Sequence, residues 1–292
     1  MSQDKSSAAS LRNLLNNPDF LTMPCCYDAL TAKLIQDAGF PLTFMSGFAV
    51  SAARLGLPDT GLISYSEMTD QLKNICSISN IPVIADGDTG YGNAVNVKRT
   101  VHGYIQAGAA GIMIEDQKSP KRCGHTMGKE IVDRNEAASR IKAAIEAREE
   151  ANATGRDIVI MARTDACATH GLEEAIERMK IFSDMGADIL FVEAPGSEKE
   201  MEVICREVPG CHMANMVEHG KTPVLPPARL SELGYKIAAY PLTLLSASVY
   251  AMRNALSALK DGRFFDALVD FKDIQSLLGF PEYDETLRRF EE

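Results

Sequence analysis

The sequence predicts an α/β protein built as a (β/α)8 barrel of the TIM type with extra C-terminal helices. Short apolar runs alternate with helical stretches along the chain. Several of those stretches end at a Gly with an apolar run directly behind it. Eight such runs spread over roughly 220 residues, which is the span of one closed barrel. Alternation of strand and helix implies a parallel sheet. A doubly wound open sheet is the runner-up, but the first unit lacks the GxGxxG turn that fold uses for nucleotides.

In chain order the expected strands are residues 21–23, 40–45, 81–85, 110–114, 157–162, 189–192, 212–214 and 235–239. The second, fourth, sixth and eighth follow helices that end at Gly39, Gly108, Gly186 and Gly234. Gly suits the left-handed position after a helix. Each run is short and apolar on both faces, as a buried parallel strand is. Residues 135–150 read as a helix with a solvated, mixed-charge face. Residues 244–261 and 264–278 read as helices with no strand to follow, the second ended by Gly279-Phe280-Pro281. The first ten residues are polar and expected to be flexible. One domain over 1–292 is expected, with 244–292 used for packing between subunits.

The composition narrows the function. The 292 residues carry a net charge of −10 and are 46% hydrophobic. No basic excess of the kind nucleic-acid binders carry is present. No apolar run approaches the roughly 18–20 residues a membrane span needs. Seven Cys (25, 26, 76, 123, 167, 205 and 211), an odd number without a secretory signal before them, point to free thiols in a reducing cytoplasm. There is no CxxC pair, which argues against structural zinc.

In a barrel the site lies at the C-terminal ends of the strands. The second apolar run ends at Ser46-Gly47 and the third at Asp86-Gly87-Asp88. The fourth ends at Glu115-Asp116, the fifth at Arg163-Thr164-Asp165, the sixth at Glu193 and the seventh at Asn215. The first and eighth end at Pro24 and Tyr240-Pro241. Any one of these polar groups could be a helix cap; six around one mouth point to a site. Crowded carboxylates repel, and a divalent cation relieves that. Mg²⁺ prefers oxygen ligands and keeps several waters. Asp86 is the expected direct ligand, with Asp88 and Glu115 acting directly or through water.

The segment Lys118-Ser119-Pro120-Lys121-Arg122-Cys123-Gly124-His125 places a thiol beside cations and an imidazole. Such neighbours lower a thiol pKa, so Cys123 is expected to be reactive. The plainer reading is a basic surface loop with an incidental Cys. Cys76 and Cys205 read as packing residues on helices, and Cys25 and Cys26 could line the pocket. His102, His170 and His212 read as structural or solvated; His219 lies near the Asn215 turn.

Together with Leu55-Gly56-Leu57-Pro58-Asp59, Asp86-Gly87-Asp88-Thr89-Gly90-Tyr91-Gly92, Ile114-Glu115-Asp116-Gln117, Ala162-Arg163-Thr164-Asp165-Ala166 and Asn215-Met216-Val217-Glu218, the Cys123 loop resembles the isocitrate lyase/phosphoenolpyruvate mutase superfamily along nearly the whole chain. The resemblance implies a Mg²⁺-dependent barrel, with Mn²⁺ as a substitute, in homotetramers (dimers of dimers) that swap a C-terminal helix. It implies a mobile loop with Cys123, Lys121, Arg122 and His125 as catalytic groups. Substrate would be held by Ser46, Gly47, Phe48, Gly124, Arg163, Glu193, Asn215 and Pro241. Asp86, Asp88 and Glu115 would form the metal site, with Asp59 in its outer shell.

The Cys loop is similar to that of the lyase branch, so C–C cleavage of a small 2-hydroxy dicarboxylate to pyruvate and a carboxylic acid is expected. Phe44, Ser46-Gly47-Phe48, Val217-Glu218-His219-Gly220 and the run 240–246 depart from the methylisocitrate lyase pattern and count against a tricarboxylate. Pro241 stands where oxaloacetate hydrolases typically have Ser. A 2,3-dimethylmalate lyase-like or petal death protein-like enzyme acting on an alkylmalate is the expected branch. Methylisocitrate lyases and carboxyphosphonoenolpyruvate phosphonomutases are the alternatives, and a non-catalytic barrel is the reading outside the enzymes.

Overall fold

The computed structural model describes residues 7–126 and 128–291. Among them, eight parallel strands close into a barrel in chain order: β1 (Leu21–Cys26), β2 (Thr43–Met45), β3 (Val83–Asp86), β4 (Gly111–Glu115), β5 (Val159–Thr164), β6 (Ile189–Val192), β7 (His212–Asn215) and β8 (Tyr235–Tyr240). β8 closes onto β1 with Leu21 opposite Ile237 and Pro24 opposite Tyr240. The expected (β/α)8 barrel is therefore the observed fold. Most strands run a residue or more beyond the apolar segment that marks them. Ladder bonds are backbone bonds and do not depend on the side chain, so Glu115 still pairs with Arg163.

The pleat sorts side chains into two cores. Met23, Phe44, Ile84, Met113, Met161, Phe191, Met213 and Ala239 belong to a cluster that includes Leu11 and the other inward strand residues. Their neighbours Cys26, Met45, Ala85, Ile112, Ile114, Ile160 and Ala162 point outward and pack with the surrounding helices. The left-handed glycines expected after the helices are present, with φ of 83° at Gly39, 97° at Gly108, 94° at Gly186 and 103° at Gly234.

Both ends of the chain differ from expectation. Residues 7–10 are not loose: they begin a helix, Ser7–Asn16, which buries Ala8 and Leu11. Leu11 is fully buried in the inner cluster. Arg12 binds Asp157 at 2.6 Å and Asp188 at 2.7 Å, just before β5 and β6, so this helix covers the N-terminal mouth. A polar flank masked its two apolar contacts. The first six residues lie outside the described residues.

The described chain divides into two units, 1–245 and 246–292. In the second, the expected helix 264–278 is only Phe271–Leu277, capped by Asp270. Residues 264–270 form no helix, and the apolar pattern there reflects exposed Phe264, Leu268 and Val269. Gly279-Phe280-Pro281 does end that helix, but it also starts another, Phe280–Glu291. Proline in a first turn has no N–H to waste and fits there. No described helix is long and apolar enough to cross a membrane.

Candidate active site

The inward side of each strand carries the site. Two residues beyond Phe44 is Ser46, beyond Ile84 is Asp86, and beyond Met113 is Glu115. Beyond Met161 is Arg163, beyond Phe191 is Glu193, and beyond Met213 is Asn215. Side chains two apart share a face, so one polar ring sits on one apolar floor. Between them lies a cavity of about 210 Å³, whose lining includes Phe48, Asp59, Asp86, Lys121, Arg122, Cys123, Gly124, His125, Arg163, Glu193, Asn215 and Pro241. The sequence-derived residues Gly47, Asp88 and Glu115 are not in that lining.

Gly47 acts one step back. Its N–H donates to Asp86 Oδ2 at 3.2 Å, and a Cβ there would lie 2.5 Å from that oxygen. Asp88 donates its N–H to Asp86 Oδ1 at 3.0 Å from a left-handed turn with φ of 47°. The two amides therefore fix the Asp86 carboxylate. Ser46 is both a cap and a lining residue: its Oγ accepts from Ala49 N–H at 3.3 Å.

The loop after β4 leaves the barrel on a short neck. Gln117 bridges Ile131, and Lys118 N–H donates to Glu130 O at 2.8 Å. The Gln117 side chain binds the Arg122 backbone on both sides, at 2.8 and 2.9 Å. The tip folds over the cavity. Lys121 Nζ lies 2.6 Å from Asp59 and 2.8 Å from Asp88, with a side chain only 6% exposed. Burial works against its charge, but Asp88, Asp86 and Asp59 outweigh it and push the ammonium pKa well up. His125 Nδ1 accepts the Lys221 N–H at 3.1 Å, which leaves the proton on Nε2, 3.1 Å from Glu193.

Arg163 anchors the opposite wall. Its Nε and Nη2 donate to Asp165 at 2.9 and 3.1 Å, and Nη2 lies 3.2 Å from Glu193. Burial opposes ionisation of Asp165, yet Arg163 and Lys129 hold its pKa down at about 2. Glu193 is likewise held below its ordinary value against burial, by Arg163 first and His125 next. Asn215 donates to Glu193 at 3.2 Å.

The thiol reading needs correcting. Burial pushes the Cys123 pKa up, and Asp59 and Glu193 add to it. The Lys121 ammonium expected to lower it is engaged by Asp59 and Asp88, the His125 ring faces Glu193, and the His125 backbone and Arg163 offset the burial only in part. Cys123 is thus held as a neutral S–H.

The acidic side can hold a cation. Burial, then Asp88, raises Asp86 to about 6. Glu115 is pushed well above its ordinary value by burial, and its Oε1 is buried without a hydrogen-bond partner among the described residues. Four buried carboxylates here face one lysine and a shared arginine. Among the described residues no three His, Cys, Asp or Glu side chains form a cage by themselves. That donor set fits a hard divalent ion that keeps much of its water shell, with Asp86 facing the cavity.

Sequence reasoning missed the apolar floor (Met113, Phe191, Met213), although the two-residue alternation marks it. It also missed Lys129 and Arg178, for which no local signal exists. His219 sits on an exposed left-handed turn, away from the cavity lining. His212 is structural, its ring 2.7 Å from Val208 O.

Comparisons with known proteins agree with this geometry. The phosphoenolpyruvate phosphomutase family model matches residues 11–260. The 2,3-dimethylmalate lyase of Eubacterium barkeri is 43% identical over 284 residues, covering 96% of each chain. A crystal structure of 2,3-dimethylmalate lyase, described as a PEP mutase/isocitrate lyase superfamily member, superposes with a TM-score of 0.90 at 38% identity, covering 96% of this chain and 94% of that one. A phosphonopyruvate hydrolase solved with oxalate and Mg²⁺ superposes with a TM-score of 0.86 at 31% identity, covering 98% of this chain and 100% of that one. With two hundred and fifty residues matched by its model and the polar ring of the barrel in place, the chain belongs to the phosphoenolpyruvate phosphomutase family.

Proposed function

We propose that this protein is a carbon–carbon lyase that cleaves 2,3-dimethylmalate, or a close alkylmalate, to pyruvate and a carboxylic acid. The observation that carries the reading is the Cys123 thiol held over the cavity between an acidic cluster and Arg163, where burial pushes its pKa up. The apolar floor suits alkyl groups, and a relative named for that activity matches 96% of the chain. Asp86 would hold Mg²⁺ directly, with Asp88, Glu115 and Asp59 acting through water. The ion would supply Lewis-acid neutralisation of the substrate's hydroxyl and adjacent carboxylate.

The residues then divide the work. Arg163, Ser46 and Asn215 orient the 2-hydroxy carboxylate end. The hydroxyl gives its proton to solvent as the substrate binds, the C2–C3 bond breaks, and the oxygen's electron pair forms the pyruvate carbonyl; the thiolate later left on Cys123 takes a proton back from solvent when the loop reopens. The pair from the broken bond goes to C3 as an enediolate. Lys121, Arg122 and His125 stand where that charge develops. Cys123 S–H donates its proton to C3, which for 2,3-dimethylmalate yields propionate. A general acid contributes about 10²–10⁴-fold. The closed loop excludes water, which would compete for the carbanion.

The test is pyruvate release, followed with a coupled dehydrogenase, on 2,3-dimethylmalate, citramalate and methylisocitrate, with oxalate release from oxaloacetate followed separately. Dimethylmalate should be the best substrate, and Cys123→Ser should lose at least about 10²-fold in kcat. No pyruvate from any of them refutes the reading.

The protein is further proposed to work as a cytoplasmic homotetramer. Free cysteines and the exposed Tyr250, Leu256, Phe264 and Phe290 of the C-terminal unit support this. Light scattering on the purified chain tests it; a monomer at micromolar concentration excludes it.

A further inference from the structure

Lys129 has no role in the chemistry above, yet its ammonium is nearly sealed from solvent. Its side chain is 2% exposed, and it donates to Asp165 Oδ1 at 2.8 Å and to the Gly124 carbonyl. Gly124 directly follows the thiol-bearing residue in the loop. Asp165 is the partner of Arg163 on the barrel rim.

We propose that Lys129 is a positioning residue that latches the catalytic loop, its ammonium tying the Gly124 carbonyl to the Asp165 carboxylate. The latch is rooted deep in the fold. Asp165 N–H donates to Asp116 Oδ1 at 2.9 Å, and the Thr164 hydroxyl donates to Asp116 Oδ2 at 2.5 Å. Arg178, from helix Leu172–Asp184, donates to that same oxygen at 3.0 Å. The chain of contacts runs from an outer helix, through two buried carboxylates, to the loop tip.

The other two loop contacts differ in kind. Lys121 and His125 touch the candidate metal-site residues Asp59 and Asp88 and the candidate substrate-binding residue Glu193 directly. Lys129 touches none of them and acts through Gly124 and Asp165. A buried ammonium is costly unless its acceptors surround it. Lifting the loop removes one acceptor and leaves Lys129 with Asp165 alone, so the closed position is favoured. A hydrogen bond to a charged group is worth roughly 10-fold to 100-fold in such an equilibrium.

The catalytic consequence rests on the lyase reading, but the latch itself is measurable without substrate. Amide hydrogen exchange and the iodoacetamide reaction rate of Cys123 are compared in the wild-type protein, Lys129→Met and Lys129→Arg. In Lys129→Met, exchange at residues 121–126 and alkylation of Cys123 should rise roughly 10-fold to 100-fold, with barrel strand amides unchanged. Lys129→Arg keeps a donor and should recover part of both. With turnover as a second readout, kcat should fall more than KM rises. Unchanged loop protection in Lys129→Met overturns the proposal. So does loss of loop and strand protection together, or a variant that fails to fold, since either makes Lys129 a plain structural residue. A wild-type protein that cleaves no malate refutes the lyase reading and leaves the exchange result intact.

Discussion

Replacing Gly124 with Ala tests the loop geometry with a single methyl group. A Cβ on Gly124 would lie 2.5 Å from Arg163 Nη2, 2.5 Å from Glu193 Cγ and 2.6 Å from Glu193 Cδ. Ordinary contact begins at about 3.4 Å. Neither neighbour can yield: Arg163 is held by both oxygens of Asp165, and Glu193 by Arg163, His125 and Asn215. The loop tip must therefore rise by roughly 1 Å, the gap between those distances, and the Cys123 thiol rises with it. A misplacement of about 1 Å costs on the order of 10²-fold, or about 2.7 kcal/mol in the barrier. The backbone at Gly124 is not left-handed, so the substitution adds no strain of that kind. Lifting the loop accommodates the methyl at the expense of the Lys129 contact, so the melting temperature should fall by only a few degrees. Gly196→Ala, whose Cβ would meet only Glu200 at 3.5 Å, is the matched control and should be near neutral. Coupled pyruvate release and thermal unfolding are the assays. Turnover of Gly124→Ala within about threefold of wild type would refute the closed loop as the working state.

Because Cys123 must be protonated to act and its pKa is raised, kcat/KM should stay flat across neutral pH and fall only above the ordinary thiol value of 9.0; an alkaline limb centred below 8 contradicts this. Asp165, at about 2 when folded and 3.8 when free, stabilises the fold above 3.8, and that contribution is lost as pH falls through 2. It amounts to roughly 2 kcal/mol; urea midpoints should drop across that window, and Asp165→Asn should flatten the drop while costing about 3–5 kcal/mol at neutral pH by stranding two buried cations. Removal of divalent ions with EDTA should abolish turnover, and Mg²⁺ or Mn²⁺ should restore it; full activity in stripped protein removes the metal. Arg178→Met should cost about 3–5 kcal/mol in unfolding free energy, because Asp116 loses its buried cation; a loss below 1 kcal/mol would show that this pair is not needed.

The strands were legible because a buried parallel strand is apolar on both sides, and a glycine marks the end of the helix before β2, β4, β6 and β8. The polar ring was legible for the same reason: Asp86, Glu115, Arg163 and Glu193 each interrupt an apolar run at its end. What failed were features set by distant partners. The Ser7–Asn16 helix is read only through the barrel mouth that Leu11 fills. The sequence sets the Cys123 thiol beside Lys121 and His125, but the Lys121 charge is engaged by Asp59 and Asp88 and the His125 ring faces Glu193, up to 68 positions away. Lys129 and Arg178 sit in unremarkable local sequence and become buried cations only when Asp165 and Asp116 arrive. The expected helix 244–261 is present as Thr243–Lys260, but the segment 264–278 misled because Phe264, Leu268 and Val269 are exposed, where periodicity no longer reports a core.

The alternation along each strand has one further effect. Charged groups and the apolar residues beneath them are successive storeys of the same pleated walls, so their vertical spacing is fixed by the peptide backbone and not by any loop. Exchanging Met113 or Met213 for a smaller or larger side chain therefore changes the room under a substrate's hydrocarbon tail while the carboxylates and guanidinium above keep their places. Chemistry and tail preference can drift independently in such a scaffold, one floor at a time.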